Sequence, residues 1–278
     1  MSNCVITALA TPFVNGKIDV NGYVKLCQFQ QKNGVDALLA LGTTAEAQLL
    51  THCERKLLLT LARSTVTLPL IAGIEEPSTA QACLDAEQYA LLGADALLIA
   101  PPSFCKCTPA GFVKHVEEIR RASGLPIVLY NIPSRAGYGL DRKAVIKLAK
   151  NGAVQYVKDS CNNVEFAKKI SPYCKVLCGS DERLQEYLDA GACGVISVVS
   201  NVEPQTAKRA ANGESEAEKR FARLAELAMK EINPIAIKYM LYKAGIFASY
   251  EMRLPLTKAS VKTRRTIDDF WVNGAIGS

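Results

Sequence analysis

Four short stretches set polar groups against apolar surroundings: GTT at 42–44, YNIPSR at 130–135, VQYVKDS at 154–160 and CGSD at 178–181. What they offer for chemistry is Thr43 and Thr44, Tyr130 and Arg135, Lys158, and Gly179 with Ser180 and Asp181. The inventory is read as having no histidine and no carboxylate pair. An amine such as that of Lys158, held in a low-dielectric pocket, loses its preference for the charged form. The free amine attacks a ketone and forms a Schiff base, an electron sink that acidifies the neighbouring carbon. The Tyr130 hydroxyl, relayed through a threonine, could carry the protons this requires. Backbone amides of GTT could hold one carboxylate, and Arg135 could grip another with two parallel hydrogen bonds. The combination suits a keto acid. Singly, each residue has a commoner reading: a strand-end cation reaching water, a core aromatic, a turn, a surface charge. From the residues alone, both readings stand.

Residues this far apart in sequence meet only if a regular scaffold brings them together. Eight apolar runs of strand type supply one: 4–10, 37–42, 69–74, 96–101, 126–132, 154–160, 175–181 and 194–200. Most are continuous in hydrophobicity rather than alternating, as expected of strands covered on both faces. Helical stretches lie between them. Thr51 with Glu54 and Ser78 with Gln81 have capping-box spacing. Thr108 before Pro109 places a proline where a first helical turn tolerates it. Helices are expected to stop at Gly34, Gly93, Gly152 and Gly191. Eight alternating strands and helices predict a (β/α)8 barrel over 1–213, whose active site lies at the C-terminal strand ends. An open doubly wound sheet is the alternative, disfavoured because no GxGxxG or GxxxxGK[ST] follows a strand. Residues 214–278 lack strand runs. They hold two amphipathic helices, AEKRFARLAELAMK and PIAIKYMLYKAG, and a third in VKTRRTIDDFWV, packed on the barrel or on a partner subunit.

Composition narrows the function. A 278-residue chain, 49% hydrophobic and 22% charged, builds a sizeable core. Its net charge of +6 is scattered, with no basic run, so no nucleic-acid partner is expected. No apolar run spans a bilayer, and the N-terminal MSNCVITALATPF lacks a signal peptide's basic start, so a cytoplasmic protein is expected. Ten cysteines and two histidines form no CxxC or closed zinc pattern; structural thiols and no metal are expected.

GTTAEAQLL (42–50), YNIPSRAG (130–137), VKDS (157–160), CGSDE (178–182), GVISVVSNV (194–202) and the 233–257 segment, with NPIAIKYMLYKAGI and RLPLT, resemble the signature blocks of the dihydrodipicolinate synthase family. They run in the family's order over nearly the whole chain. A YN-P-R segment followed about 28 residues later by a strand-end lysine marks the wider pyruvate-lyase superfamily, and the arginine points to the synthase branch. The resemblance implies that Lys158 forms the Schiff base with pyruvate, with Tyr130 and Thr43 as proton relay. It implies that Thr44 helps hold the pyruvate carboxylate and that Arg135 binds the carboxylate of aspartate semialdehyde. Gly179 and Ile196 would line the pocket. It further implies lysine biosynthesis by the diaminopimelate route, a homotetramer built from two dimers, and no cofactor beyond the covalent imine. A sister aldolase acting on a 2-keto-3-deoxy sugar acid or N-acetylneuraminate, or a non-catalytic keto-acid-binding barrel, is the alternative.

Two departures bear on mechanism. A relay tyrosine from the neighbouring subunit should fall in PPSFCKCT (101–108), where this chain has Phe104, so slower proton transfer is expected; and GTTGE appears as GTTAE, with Ala45. At the positions of the family's regulatory lysine site only His52 matches, beside Ala47, Arg55, Pro77, Gln81 and Ser103. Insensitivity to lysine is expected.

Overall fold

The computed structural model describes residues 3–273. Eight parallel strands close into a barrel: β1 (Cys4–Ala8), β2 (Ala37–Ala40), β3 (Leu70–Ile74), β4 (Ala96–Ile99), β5 (Ile127–Asn131), β6 (Val154–Asp159), β7 (Lys175–Cys178) and β8 (Gly194–Ser197). Each pairs with the next, and β8 returns to β1 in the register Cys4↔Gly194 to Thr7↔Ser197. All eight expected strands are present; all but β3, which keeps its expected end at Ile74, are trimmed where the chain curls into the loops at the barrel's C-terminal mouth. A helix follows every strand: Val20–Lys32, His52–Thr65, Thr79–Leu91, Pro109–Ser123, Arg142–Lys150, Val164–Ile170, Leu184–Asp189 and Pro204–Ala211. This is a TIM barrel.

The start signals act as their chemistry predicts. The Thr51 hydroxyl accepts from the Glu54 amide, and the Glu54 carboxylate accepts from the Thr51 amide at 2.9 Å. Thr108 caps the helix begun by Pro109. Ser78 also caps its helix by accepting from the Gln81 backbone amide, but the Gln81 side chain donates to Asp85 instead of reaching back to the cap. Along Pro109–Ser123 the buried Phe112, Val113, Val116 and Ile119 form one stripe against the barrel. Each such side chain contributes about 1.5–3 kcal/mol on burial.

Strand alternation divides the core. Val5, Leu38, Leu129 and Val157 face the helices, while Ile6, Leu39, Ile71, Leu98, Val128, Tyr130, Leu177 and Ile196 fill the interior. On β6 the register shifts by one residue between Val154 and Tyr156, which turns Tyr156 and Lys158 inward.

Three details differ from expectation. A hairpin, Phe13–Val14 with Lys17–Ile18, follows β1; Asn15 and Gly16 at its tip both have positive φ, the two-residue turn that matches strand twist. The helix Ile235–Lys243 buries every residue from Ile235 to Leu241, so it is an interior helix rather than an amphipathic one. Cys53 and Cys105 are exposed rather than core thiols; all ten cysteines are free. Among the described residues no helix is long and apolar enough to cross a membrane, and no cluster of three or more His, Cys, Asp or Glu could hold a metal.

Of the helices Ser215–Ala228, Ile235–Lys243 and Val261–Asn273, the first packs on Pro204–Ala211, the second on the turn after β8, and the third on the first two. A wholly buried ion pair, Lys238 Nζ to Glu46 Oε1 at 2.6 Å, ties the second of them to the mouth turn after β2. Burial lowers the Lys238 amine to about 8, against the pull of Glu46. Losing one partner strands the other's charge. Lys238→Met is therefore expected to destabilise the fold by about 3–5 kcal/mol, measured by urea denaturation.

Candidate active site

Tyr130 and Lys158 are register partners at the C-terminal ends of β5 and β6. Both point inward and are almost fully buried, and the Lys158 amine sits 4.2 Å from the centroid of the Tyr130 ring. Their neighbours Asn131 and Asp159 point the other way and form a clamp. Asn131 Nδ2 donates to Asp159 Oδ1 at 2.9 Å, the Tyr187 hydroxyl donates to Asp159 Oδ2 at 3.0 Å, and the Leu140 amide donates to Asn131 Oδ1 at 2.9 Å. Buried polar bonds of this kind fix the two strand ends, and with them the inward pair.

The GTT turn sits against β3 because Gly73 has no side chain: a Cβ there would lie 2.2 Å from the Leu41 carbonyl oxygen. That close approach sets Thr43 beside the residue that follows β3, Glu75. The Thr43 hydroxyl donates to Glu75 Oε1 at 3.4 Å. Thr44 is buried, and its hydroxyl oxygen accepts from Asn233 Nδ2 at 3.0 Å. Asn233 also accepts, through its carbonyl, from Arg135 at 2.9 Å. One residue of the C-terminal helical region thus joins the two loops expected to hold carboxylates.

Gly179 leaves room beside the lysine; a Cβ would come within 3.1 Å of Lys158 Cε and 2.1 Å of Ser160 Oγ. Ile196 belongs to the same barrel-interior cluster as Tyr130. Asp181 accepts from the Val198 and Val199 amides, both at 2.8 Å, and so pins the β7 loop to the end of β8. Burial pushes the Asp181 carboxyl up, against those two amides, and the Lys158 charge lies within its electrostatic reach.

Above these groups a cavity of about 350 Å³ opens, lined among others by Thr43, Glu46, Glu75, Phe104, Arg135 and Asn233. Thr43 and Arg135 face it. Thr44, Tyr130, Lys158, Gly179 and Ile196 are not among its lining residues. Phe104 stands on the rim of this chain's own cavity, fully exposed, with φ +60°.

The expectation that the mouth lacks a second carboxylate is corrected by Glu75. It shares the cavity with Arg135, and burial raises its carboxyl above the usual range, against the opposing contacts of Gln48 and Thr43 and the charges of Arg135 and Lys158. The signal was present, since Glu75 directly follows a strand whose end faces the mouth. Asn233 was less legible, because its place depends on how a distant helix packs.

The model of the dihydrodipicolinate synthetase family matches residues 1–271. A 4-hydroxy-tetrahydrodipicolinate synthase of Rickettsia bellii is 34% identical over 279 residues, covering 95% of each chain. One from Alkaliphilus oremlandii is 34% identical over 276 residues, covering 94% of this chain and 95% of the relative. Among solved structures, a monomeric dihydrodipicolinate synthase variant superposes with a TM-score of 0.93 at 30% identity, covering 99% of this chain and 97% of its own. The dihydrodipicolinate synthase of Thermotoga maritima superposes with a TM-score of 0.92 at 31% identity, covering 98% of each chain. A family match along nearly the whole length, with relatives above 30% identity and the same barrel, means that the chain belongs to the dihydrodipicolinate synthetase family.

Proposed function

We propose that the chain is a lyase of the 4-hydroxy-tetrahydrodipicolinate synthase type, condensing pyruvate with L-aspartate 4-semialdehyde through a Schiff base on Lys158. It would serve lysine biosynthesis by the diaminopimelate route, in the cytoplasm. The observation that carries this reading is the inward pair at the barrel mouth, a buried lysine amine 4.2 Å from the Tyr130 ring, beneath a cavity bearing Thr43 and Arg135.

The Lys158 amine attacks the keto carbon of pyruvate, forming a C–N bond while the carbonyl oxygen takes a proton. That hydroxyl leaves as water with a second proton, giving the imine. The methyl carbon then releases a proton to give the enamine, which attacks the aldehyde carbon, and the resulting alkoxide is protonated. The semialdehyde's own amine adds to the imine carbon, loses a proton and displaces the Lys158 amine as the ring closes. Tyr130 is the group that delivers and recovers these protons, with Thr43 as its relay. Thr44 uses its oxygen to accept from Asn233 and keeps its hydroxyl proton for the pyruvate carboxylate. Arg135 spends one N–H on the Asn233 carbonyl and keeps others for the second substrate's carboxylate. Gly179 provides the space in which the adduct forms, and Ile196 is part of the apolar wall of the barrel interior. The chemistry as written needs no metal and no organic cofactor.

Trapping with borohydride in the presence of pyruvate tests the reading, with peptide mapping to locate the adduct. An adduct on Lys158 and turnover with aspartate semialdehyde are expected. No adduct overturns the enzyme readings together, whereas an adduct with turnover only on uncharged aldehydes favours a sister aldolase.

We also propose that the protein assembles as a homotetramer. The exposed Phe104 ring, on a left-handed backbone at the cavity rim, supports this as a group that reaches for a neighbouring subunit. Sedimentation velocity at assay concentration should find the tetramer; monomer alone would overturn the proposal.

Lysine insensitivity is the third part of the reading. His52, Arg55 and Gln81 converge on the buried Asp85: Gln81 Nε2 donates to it at 3.0 Å, with His52 at 3.6 Å and Arg55 at 3.9 Å. The carboxylate that could receive a lysine ammonium is already engaged within the chain. Activity is expected to be unchanged in millimolar lysine; inhibition at submillimolar lysine in the same assay would overturn this.

A further inference from the structure

We propose that Glu75 is the outer end of the proton relay that runs from Tyr130 through Thr43, taking the part of the hydroxyl that Phe104 lacks. The proposal rests on the Schiff-base reading above. A threonine hydroxyl has one proton to give and lone pairs with which to accept. Thr43 gives its proton to Glu75 Oε1, which leaves its oxygen free to accept from Tyr130. Proton-transfer contacts of this kind commonly tighten only when substrate is bound.

The transfer balances. When the pyruvate methyl releases its proton to the Tyr130 oxygen, the phenol proton moves to Thr43 and the Thr43 proton moves to Glu75. Tyrosine and threonine end neutral and the carboxylate ends as a carboxylic acid. The reverse passage returns the proton to the aldehyde oxygen after the C–C bond has formed. No proton need be exchanged with water between the two steps.

The surroundings suit a carboxylate that must gain and lose a proton. Thr43 and Gln48 approach Glu75 from the β2 loop, Arg135 from the β5 loop and Lys158 from β6. The two cations favour the ionised form while burial opposes it. Glu46 faces the same cavity, but its charge is committed to Lys238. Glu75 therefore has cations within reach without a dedicated salt-bridge partner among the described residues. Phe104 lines the same cavity and has no polar side-chain atom.

The test compares wild type with Glu75→Gln, which keeps the shape and an acceptor for Thr43 but cannot be protonated in the working range. Glu75→Asp keeps the acid. We expect kcat of Glu75→Gln to fall about 10²-fold, at the low end of what a positioned proton-transfer group supplies, with KM for pyruvate nearly unchanged. The acid limb of the wild-type kcat profile, where Glu75 becomes protonated as pH falls and ceases to accept, should vanish in Glu75→Gln and persist in Glu75→Asp. Borohydride trapping is run on both proteins. Adducts in both, with unchanged kcat and an unchanged acid limb in Glu75→Gln, overturn the relay role alone. Failure of wild type to trap pyruvate overturns the underlying Schiff-base reading instead.

Discussion

Lys158→Ala is expected to be folded and without turnover, and to trap no pyruvate with borohydride. The side chain lies almost wholly inside the barrel mouth, against the Tyr130 ring and beside the space left by Gly179. Its removal deletes the amine proposed to form the imine. The fold does not depend on it, since β6 is held by β5 and β7 and by the outward clamp on Asp159. Lys158→Arg sharpens the test. A guanidinium keeps the positive charge but cannot be deprotonated in a protein, so it cannot attack a ketone. If the lysine served only as a counter-charge for Glu75 and Asp181, the arginine variant would retain activity. Loss of turnover in both variants, with melting temperatures near that of wild type, assigns the nucleophile. Wild-type-like turnover in either removes it.

Tyr130→Phe is expected to lower kcat by about 10²–10⁴-fold, the range for loss of a positioned general acid-base. The ring is the part of Tyr130 that packs against the lysine amine and the barrel interior, and phenylalanine preserves it. The hydroxyl is what the proposed mechanism needs to expel water from the first adduct and to deprotonate the methyl group. The variant should therefore fold normally and trap pyruvate slowly. Single-turnover rates measured by quenched flow separate these steps, and a rate within a few-fold of wild type would show that another group moves the protons.

The barrel was legible in the sequence because parallel strands between helices are apolar on both faces. Runs such as ALLALG and ALLIAP have no other comfortable place. Strand-end position carried the site, since Lys158 and Tyr130 each lie at the end of a strand at the barrel mouth; strand parity did not, because the register shift on β6 is what turns Lys158 inward. Other features were encoded less locally. The hairpin tip Asn15–Gly16 is a strong two-residue turn signal, but its strands are only two residues long and leave no hydrophobic pattern. The helix Ile235–Lys243 contains charged and aromatic residues that imply a polar face; Lys238 is buried only because Glu46 meets it from the β2 loop, a partner 192 residues away. Glu75 looked like an ordinary loop acid after β3. What distinguishes it is the approach of the β2 turn over Gly73, which depends on packing between two strands rather than on any pattern within one.

Asn233, which bonds both Thr44 and the Arg135 loop, also fixes when during synthesis the mouth can be finished. All eight barrel strands have been synthesised once Ser197 is added, yet the residue that joins the two loops comes later, just ahead of the interior helix that begins at Ile235. At about 5–20 residues per second, a nascent chain passes several seconds with its strands made and its mouth unjoined. A chain released early would keep Lys158 and Tyr130 and still lack the tie that aims their neighbours. The two loops are therefore joined only after the barrel's own strands have all been made.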